Sequence, residues 1–156
     1  MKPLIVFDFS GVLGSKNGRT TSIKQGVFEF LQKCHSNFNI AIWTSGIFKN
    51  YDHFMEELER KLNFQFVFTW YRQMTQLDPN YGIDPNVKNF DTIKNLSQII
   101  HSPTINYDRY YHKDNILIVD DSIRKISMNK HYVVAEENDN FDILFDKIMK
   151  KFEEMK

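Results

Sequence analysis

The chain has 156 residues, a length that suits one domain with at most a small appendage. With 42% apolar and 26% charged residues, wholesale disorder is excluded, and 20 basic residues balanced by 20 acidic ones argue against a generally basic nucleic-acid binder. A single cysteine, Cys34, excludes an intramolecular disulfide and a cysteine-rich zinc site.

Residues 4–7 (LIVF) form a short continuous apolar run, which predicts a strand buried on both faces. The N-terminal residues up to Asp8 are too few and too polar for a signal peptide, and no apolar run reaches the roughly eighteen residues of a membrane span. A soluble intracellular protein, cytoplasmic or nuclear, is the expectation. Residues 10–22 carry Gly11, Gly14 and Gly18 among small polar residues and read as loop. Ile23, Val27, Phe30, Leu31 and Cys34 then recur at helical spacing. A second buried strand is predicted over 39–43, ending in Thr44-Ser45-Gly46, and a second helix over 47–62.

The alternation Phe64-Gln65-Phe66-Val67-Phe68 suggests a third strand. Residues 71–89, with Asp78-Pro79, Gly82 and Asp84-Pro85, are long enough without periodicity to suggest a functional loop or a small insert. A short helix is expected within 92–101, followed by a polar aromatic loop containing Tyr107-Asp108-Arg109-Tyr110-Tyr111-His112. Residues 116–119 (ILIV) read as a fourth buried strand that ends at Asp120-Asp121, and 131–134 as a fifth. Phe141, Leu144, Phe145, Ile148, Met149 and Phe152 mark a closing amphipathic helix. The five histidines show no metal-ligand spacing.

Buried strands alternating with amphipathic helices imply an α/β, three-layer Rossmann-like fold with a central parallel sheet. Ligands of such sheets bind beyond the carboxyl ends of the strands, where the strand order reverses. The polar residues at those ends are Asp8, Thr44 and Ser45, and Asp120 and Asp121. In the order 3-2-1-4-5, Asp8 faces Asp120 across the reversal point. Two carboxylates held so close repel unless a cation lies between them, which suggests Mg²⁺ with oxygen ligands.

Those residues carry a resemblance. Ile5-Val6-Phe7-Asp8-Phe9-Ser10-Gly11-Val12-Leu13 resembles the first motif of the haloacid dehalogenase superfamily, hhhDxDx(T/V)(L/V). The stretch 40–45 (IAIWTS) resembles the second, Lys94 the third, and 116–121 (ILIVDD) the fourth. Within that superfamily the chain resembles the FCP/SCP-type phosphatases, NLI-interacting-factor-like enzymes that act on the polymerase tail. Residues 24–31 look like their "RPxxxEFL", Lys94-Asn95-Leu96-Ser97 like "KDLS", and Asp120-Asp121-Ser122 like "D(N/D)S". The resemblance implies a haloacid dehalogenase-like fold across 1–156, with a small insert at about 71–89 and no large cap domain.

It also implies chemistry. Asp8 would be the nucleophile that takes up the phosphoryl group. Mg²⁺ would be held by Asp8, the backbone carbonyl of Ser10, and Asp120. Asp121 is either a further metal-side group or the cap of a helix starting at Ser122. Thr44, with Ser45, would bind phosphoryl oxygens, and Lys94 would neutralise the developing charge, with Lys88 its competitor. Arg72 matches an arginine of the family's inserted segment and is a candidate phosphate contact, against a plain surface role.

One position departs from the pattern. The second aspartate of the first motif, the general acid/base, is Ser10 here. The expected function is therefore a Mg²⁺-dependent phosphatase of reduced activity working through an aspartyl-phosphate. The alternatives are an impaired phosphoprotein-binding or scaffold module and a hydrolase of small phosphorylated metabolites. An open site without a cap favours a phosphorylated protein or other macromolecule as the partner; no nucleic acid or membrane is expected.

Overall fold

The computed structural model describes residues 1–17, 20–88, 91–127 and 129–156. Strand β1 (Leu4–Phe7) is followed by a hairpin, β2 (Gly14–Asn17) and β3 (Thr20–Ile23). Next come α1 (Val27–His35), β4 (Asn39–Trp43), α2 (Phe48–Lys61) and β5 (Thr69–Trp70). A 3-10 turn (Arg72–Met74) leads into β6 (Gln76–Leu77), β7 (Thr92–Asn95) and a one-turn helix α3 (Ser97–Ile100). The chain closes with β8 (Ile116–Asp120), a second 3-10 turn (Ile123–Lys125), β9 (Ile126–Ser127), β10 (His131–Val134) and α4 (Phe141–Met155).

The main sheet runs β10-β8-β1-β4-β5 with all its pairings parallel. In sequence order of the sheet strands this is 3-2-1-4-5, as expected, and it sets β1 between β8 and β4. Alternation along each strand builds two cores. Ile5, Phe7, Ile40, Ile42, Leu117 and Val119 face α1, α2 and α4, where they meet Val27, Leu31, Leu58 and Ile148. Leu4, Val6, Ala41, Trp43, Ile116 and Ile118 face the other side, against Leu96, Ile99 and Tyr111. Covering both faces is what allows these strands to be continuously apolar. Cys34 belongs to the first core, and burial pushes its thiol up to about 12, so it stays an unreactive packing residue.

Four expectations need correction. Residues 10–22 are not plain loop, because 14–17 and 20–23 pair antiparallel. The second of these strands, Thr20-Thr21-Ser22-Ile23, is β-branched at three of its four positions, and a polar hairpin leaves no hydrophobic period to read. Of the loop's glycines, Gly18 lies outside the described residues. The first helix begins at Val27 rather than at Ile23: Gly26 sits at φ 88, a left-handed conformation that stops the helix from extending backward.

The third sheet strand is 69–70, not 64–68. The chain comes alongside β4 only from Val67, whose N–H donates to the Ile40 carbonyl, and Phe64 instead packs onto His35 and Phe66. Finally, 92–95 is a strand and the helix in 92–101 shrinks to 97–100. Strand β7 pairs antiparallel with β6 and parallel with β9, so part of the segment 71–89 joins a small second sheet beside the C-terminal ends of the main one. Among the described residues no helix is long and apolar enough to cross a membrane.

Candidate functional site

Strand β1 ends at Phe7 and β8 at Asp120, and because the two pair in register the carboxylates of Asp8 and Asp120 emerge side by side. Both are almost fully buried, at 3% and 0% exposure. Lys94, 1% exposed, comes in from β7, and its Nζ lies 2.6 Å from Asp120 Oδ2 and 3.2 Å from Asp8 Oδ1. The pairing of β7 with β9, which is tethered to β8 by a single short turn, is what aims Lys94 inward. Lys88, by contrast, is exposed and its Nζ only approaches the Pro85 carbonyl, so the structure brings Lys94, not Lys88, to the aspartates.

Burial pushes the Asp8 carboxyl up to about 7; the Lys94 ammonium opposes this and the Asp120 carboxylate adds to it. For Lys94, burial alone would lower the ammonium, but Asp8 and Asp120 together hold it above the ordinary lysine value. The cluster is therefore one coupled group of a buried cation between two carboxylates. Asp121 completes it from the solvent side: one oxygen from each of Asp8, Asp120 and Asp121 lies within 4.8 Å of the others. Partial burial, then its neighbour Asp120, keep Asp121 above the usual carboxylate range.

Asp121 caps no helix. The turn that follows is 3-10, and the Ser122 N–H donates to Asp120 Oδ1 at 3.0 Å, so any capping is done by Asp120. Gly11, at φ 83, packs against Asp121 so closely that a Cβ there would collide with its carboxylate. The donor set fits a hard divalent cation: three carboxylates, two of them buried, and more negative charge than one ammonium neutralises.

The second strand end supplies the neutral groups. Thr44 is buried, and its Oγ1 accepts the Gly46 N–H at 3.0 Å, which leaves the hydroxyl proton free to donate. Ser45 Oγ is buried with no hydrogen-bond partner among the described residues, an unmet polar atom at the wall of a cavity of ≈ 180 Å³. That cavity is also lined by Asp8, Ser10, Thr44, Tyr51 and Arg72. Arg72 is not a remote surface group: its Nε donates to the Ser45 carbonyl at 2.8 Å and its N–H to the Gly46 carbonyl at 2.9 Å. The Ser10 hydroxyl lies 2.9 Å from the Tyr51 hydroxyl, so the side chain at position 10 does face the cavity.

A family model described as NLI interacting factor-like phosphatase matches residues 4–154. The chain belongs to that family. Among solved structures, it is similar to one described as the phospho-aspartyl intermediate analogue of phosphoserine phosphatase, at 13% identity, covering 99% of each chain with a TM-score of 0.52. At that identity the likeness shows the haloacid dehalogenase-like fold alone. No curated protein matches this chain.

Besides Gly46, three residues at this NLI interacting factor-like site lie outside the sequence candidates: Tyr51, Asp91 and Lys125 all line the cavity. In sequence Tyr51 reads as an apolar-face position of α2 in a helix that, following Trp43-Thr44-Ser45, resembles the family's second-motif neighbourhood; the fold shows its hydroxyl turned to Ser10. Lys125 sits in a turn where a helix was one expectation, and Asp91 in a segment with no period. Tyr51 is also the reason for a glycine at position 46, since a Cβ there would collide with its ring. Gly46→Ala is expected to destabilise the protein by about 1–3 kcal/mol through overpacking. Urea unfolding of Gly46→Ala, Tyr51→Ala and the double variant checks this, because the double variant, with the ring removed, is expected to cost less than the sum.

Proposed function

We propose that this chain is a Mg²⁺-dependent phosphomonoesterase that works through an aspartyl-phosphate on Asp8. The observation that supports it most is the Asp8–Lys94–Asp120 cluster, buried at the order reversal of the sheet, with the unpartnered Ser45 hydroxyl beside it. Mg²⁺, held by Asp8, Asp120, Asp121 and the carbonyl of residue 10, would supply the positive charge that offsets repulsion between phosphate and carboxylates.

The chain's own groups do the rest. The Phe9 N–H and Lys94 both bond Asp8 Oδ1, which fixes the carboxylate and leaves Oδ2 to attack. As the Oδ2–phosphorus bond forms, the ester P–O bond breaks and its electron pair stays on the leaving oxygen. Thr44 donates a hydrogen bond to a phosphoryl oxygen, Ser45 meets a second, and the Lys94 ammonium stabilises the negative charge shared between Asp8 and the transferring group. Water then attacks phosphorus, the Asp8 Oδ2–phosphorus bond breaks with its electron pair returning to the carboxylate, and inorganic phosphate leaves as the water's proton passes to the phosphate or to solvent. The open cavity, without a cap among the described residues, suits a phosphate carried on a protein or other macromolecule.

The leaving oxygen meets the Ser10–Tyr51 hydroxyl pair instead of a carboxylic acid. Hydroxyls hydrogen-bond an oxyanion but protonate it poorly, so good leaving groups are favoured. Phenols, with a pKa near ~10, leave without a proton, whereas a serine alkoxide does not. Mg²⁺-dependent cleavage of aryl phosphates is expected to exceed that of phosphoserine peptides by at least about 10²-fold, the lower end of a general acid's contribution. Steady-state rates on the two substrates check this, and equal rates would contradict it. Ser10 also favours a second reading, a phosphoprotein-binding module with the fold retained; binding of phosphopeptides without any turnover, even of aryl phosphates, would select it.

A further inference from the structure

The aromatic loop 107–112 plays no part in the chemistry above, yet it borders a cavity of ≈ 600 Å³, larger than that over Asp8. This cavity lies at the other end of the sheet. Asn115, just after the loop, accepts the Leu4 N–H through its carbonyl, Tyr110 Oη donates to the Met1 carbonyl, and the Asn39 amide donates to Tyr111 Oη. These contacts mark the N-terminal ends of β1 and β4. Strand β8, five residues and about 16 Å long, runs from this end of the sheet to the end that carries Asp120.

The wall is built to hold a shape. Asn106, 4% exposed, donates to the carbonyls of Ile100 and Tyr111 at 2.9 and 2.8 Å and accepts the Tyr111 N–H at 2.9 Å. Arg109 stands in the cavity wall at φ 58, the one non-glycine residue with positive φ among the described residues. The turn is held on either side by the Arg109 N–H donating to the Asn106 carbonyl at 3.0 Å and the Tyr110 N–H donating to Asp108 Oδ1 at 3.2 Å. Arg109 is exposed and makes no ion pair among the described residues, so its guanidinium is free to meet an anion in the cavity. No acidic residue lines the cavity, whose wall also includes His101, His112, Tyr111 and Tyr107, the last 79% exposed.

A guanidinium and aromatic side chains around a cavity within the size range of small-molecule sites, with no carboxylate in the wall, fit an anion that carries a planar group. We infer that this cavity is a second ligand site for a nucleoside monophosphate-type anion, its phosphate on Arg109 and its ring on Tyr107 and the histidines. The site is independent of turnover at Asp8.

Calorimetric titration with AMP, adenosine and inorganic phosphate tests it, in EDTA so that no divalent ion is present. The expected result is that AMP binds and adenosine and phosphate each bind at least tenfold more weakly. Arg109→Gly should lose at least tenfold in AMP affinity while its Tm is no lower than that of the wild type, because glycine accepts the positive φ. Tyr107→Ser, at an exposed position, should also weaken AMP, and Asp8→Asn should leave AMP affinity unchanged. No AMP binding at millimolar concentration, AMP affinity equal in wild type and Arg109→Gly, or loss of AMP binding in Asp8→Asn would each overturn the assignment.

Discussion

Lys94→Met is expected to abolish turnover and to lower the melting temperature by on the order of 10 °C, since removing one partner of a buried ion pair costs about 3–5 kcal/mol. Methionine matches the length of the lysine stem, so little of the loss is packing. What is lost is the ammonium that lies between Asp8 and Asp120. Two buried carboxylates then face each other uncompensated, and Asp8, already pushed up to about 7 by burial with the ammonium present, is raised further and takes a proton. A protonated Asp8 is no nucleophile.

The pH dependence of that loss has a definite sign. A carboxyl whose pKa is higher folded than unfolded binds its proton more readily in the folded state, so it favours folding at low pH and loses that contribution as pH rises through the folded value. The deficit of Lys94→Met in EDTA should therefore be smaller at pH 6 than at pH 8. Thermal melts of the variant and the wild type at both values check this. A deficit independent of pH would mean that Lys94 does not compensate Asp8.

The second large effect is a gain. Ser10→Asp is expected to raise turnover on phosphoserine peptides by about 10²–10⁴, the usual range for a general acid–base group, and on aryl phosphates by much less. The argument is geometric, because the Ser10 side chain already faces the cavity at 2.9 Å from Tyr51 Oη. A carboxyl placed there meets the leaving oxygen and keeps a hydrogen bond from Tyr51. Its aspartyl-phosphate should also turn over faster, since the same carboxylate accepts a proton from the attacking water. Steady-state kinetics on both substrates decide the point: an equal gain on both, or none, would show that the proton is not what limits the wild type.

How far the sequence reached depended on how much of each signal was local. The strands at 4–7, 39–43 and 116–119 are legible because burial on both faces demands nearly uninterrupted apolar residues, whereas 131–134, at the edge of the sheet, shows only as the short β-favouring run Tyr132-Val133-Val134. The parallel order these strands imply, with the site at the reversal point, brings Asp8, Thr44 and Asp120 together at the strand ends. The third strand was misplaced because Phe64-Gln65-Phe66 alternates like a strand while packing on His35; the ladder begins only at Val67. The hairpin of 14–23 was missed because its polar strands carry no hydrophobic period.

Lys94 and Lys88 looked alike in sequence, both being cations in a polar stretch. The likeness of Lys94-Asn95-Leu96-Ser97 to the family's KDLS favours Lys94, and the β7–β9 pairing buries it while leaving Lys88 in solvent. Arg72 needed the same help, since its anchor on the Ser45 carbonyl spans 27 residues of chain. Tyr51 was hidden among the apolar positions of its helix, and its contact with Ser10 joins residues 41 apart. Long-range polar contacts of this kind leave no periodic trace in the sequence.

The central claim, that Asp8 takes up a phosphoryl group, is tested most directly by covalent trapping. The protein is mixed with Mg²⁺ and an aryl phosphate carrying radiolabelled phosphate, quenched in acid, and counted alongside Asp8→Asn. Because Ser10 activates water poorly, the wild type is predicted to hold acid-stable, hydroxylamine-labile label that Asp8→Asn lacks. A wild type that cleaves the substrate without retaining label, or an Asp8→Asn variant that is labelled equally, would contradict the account.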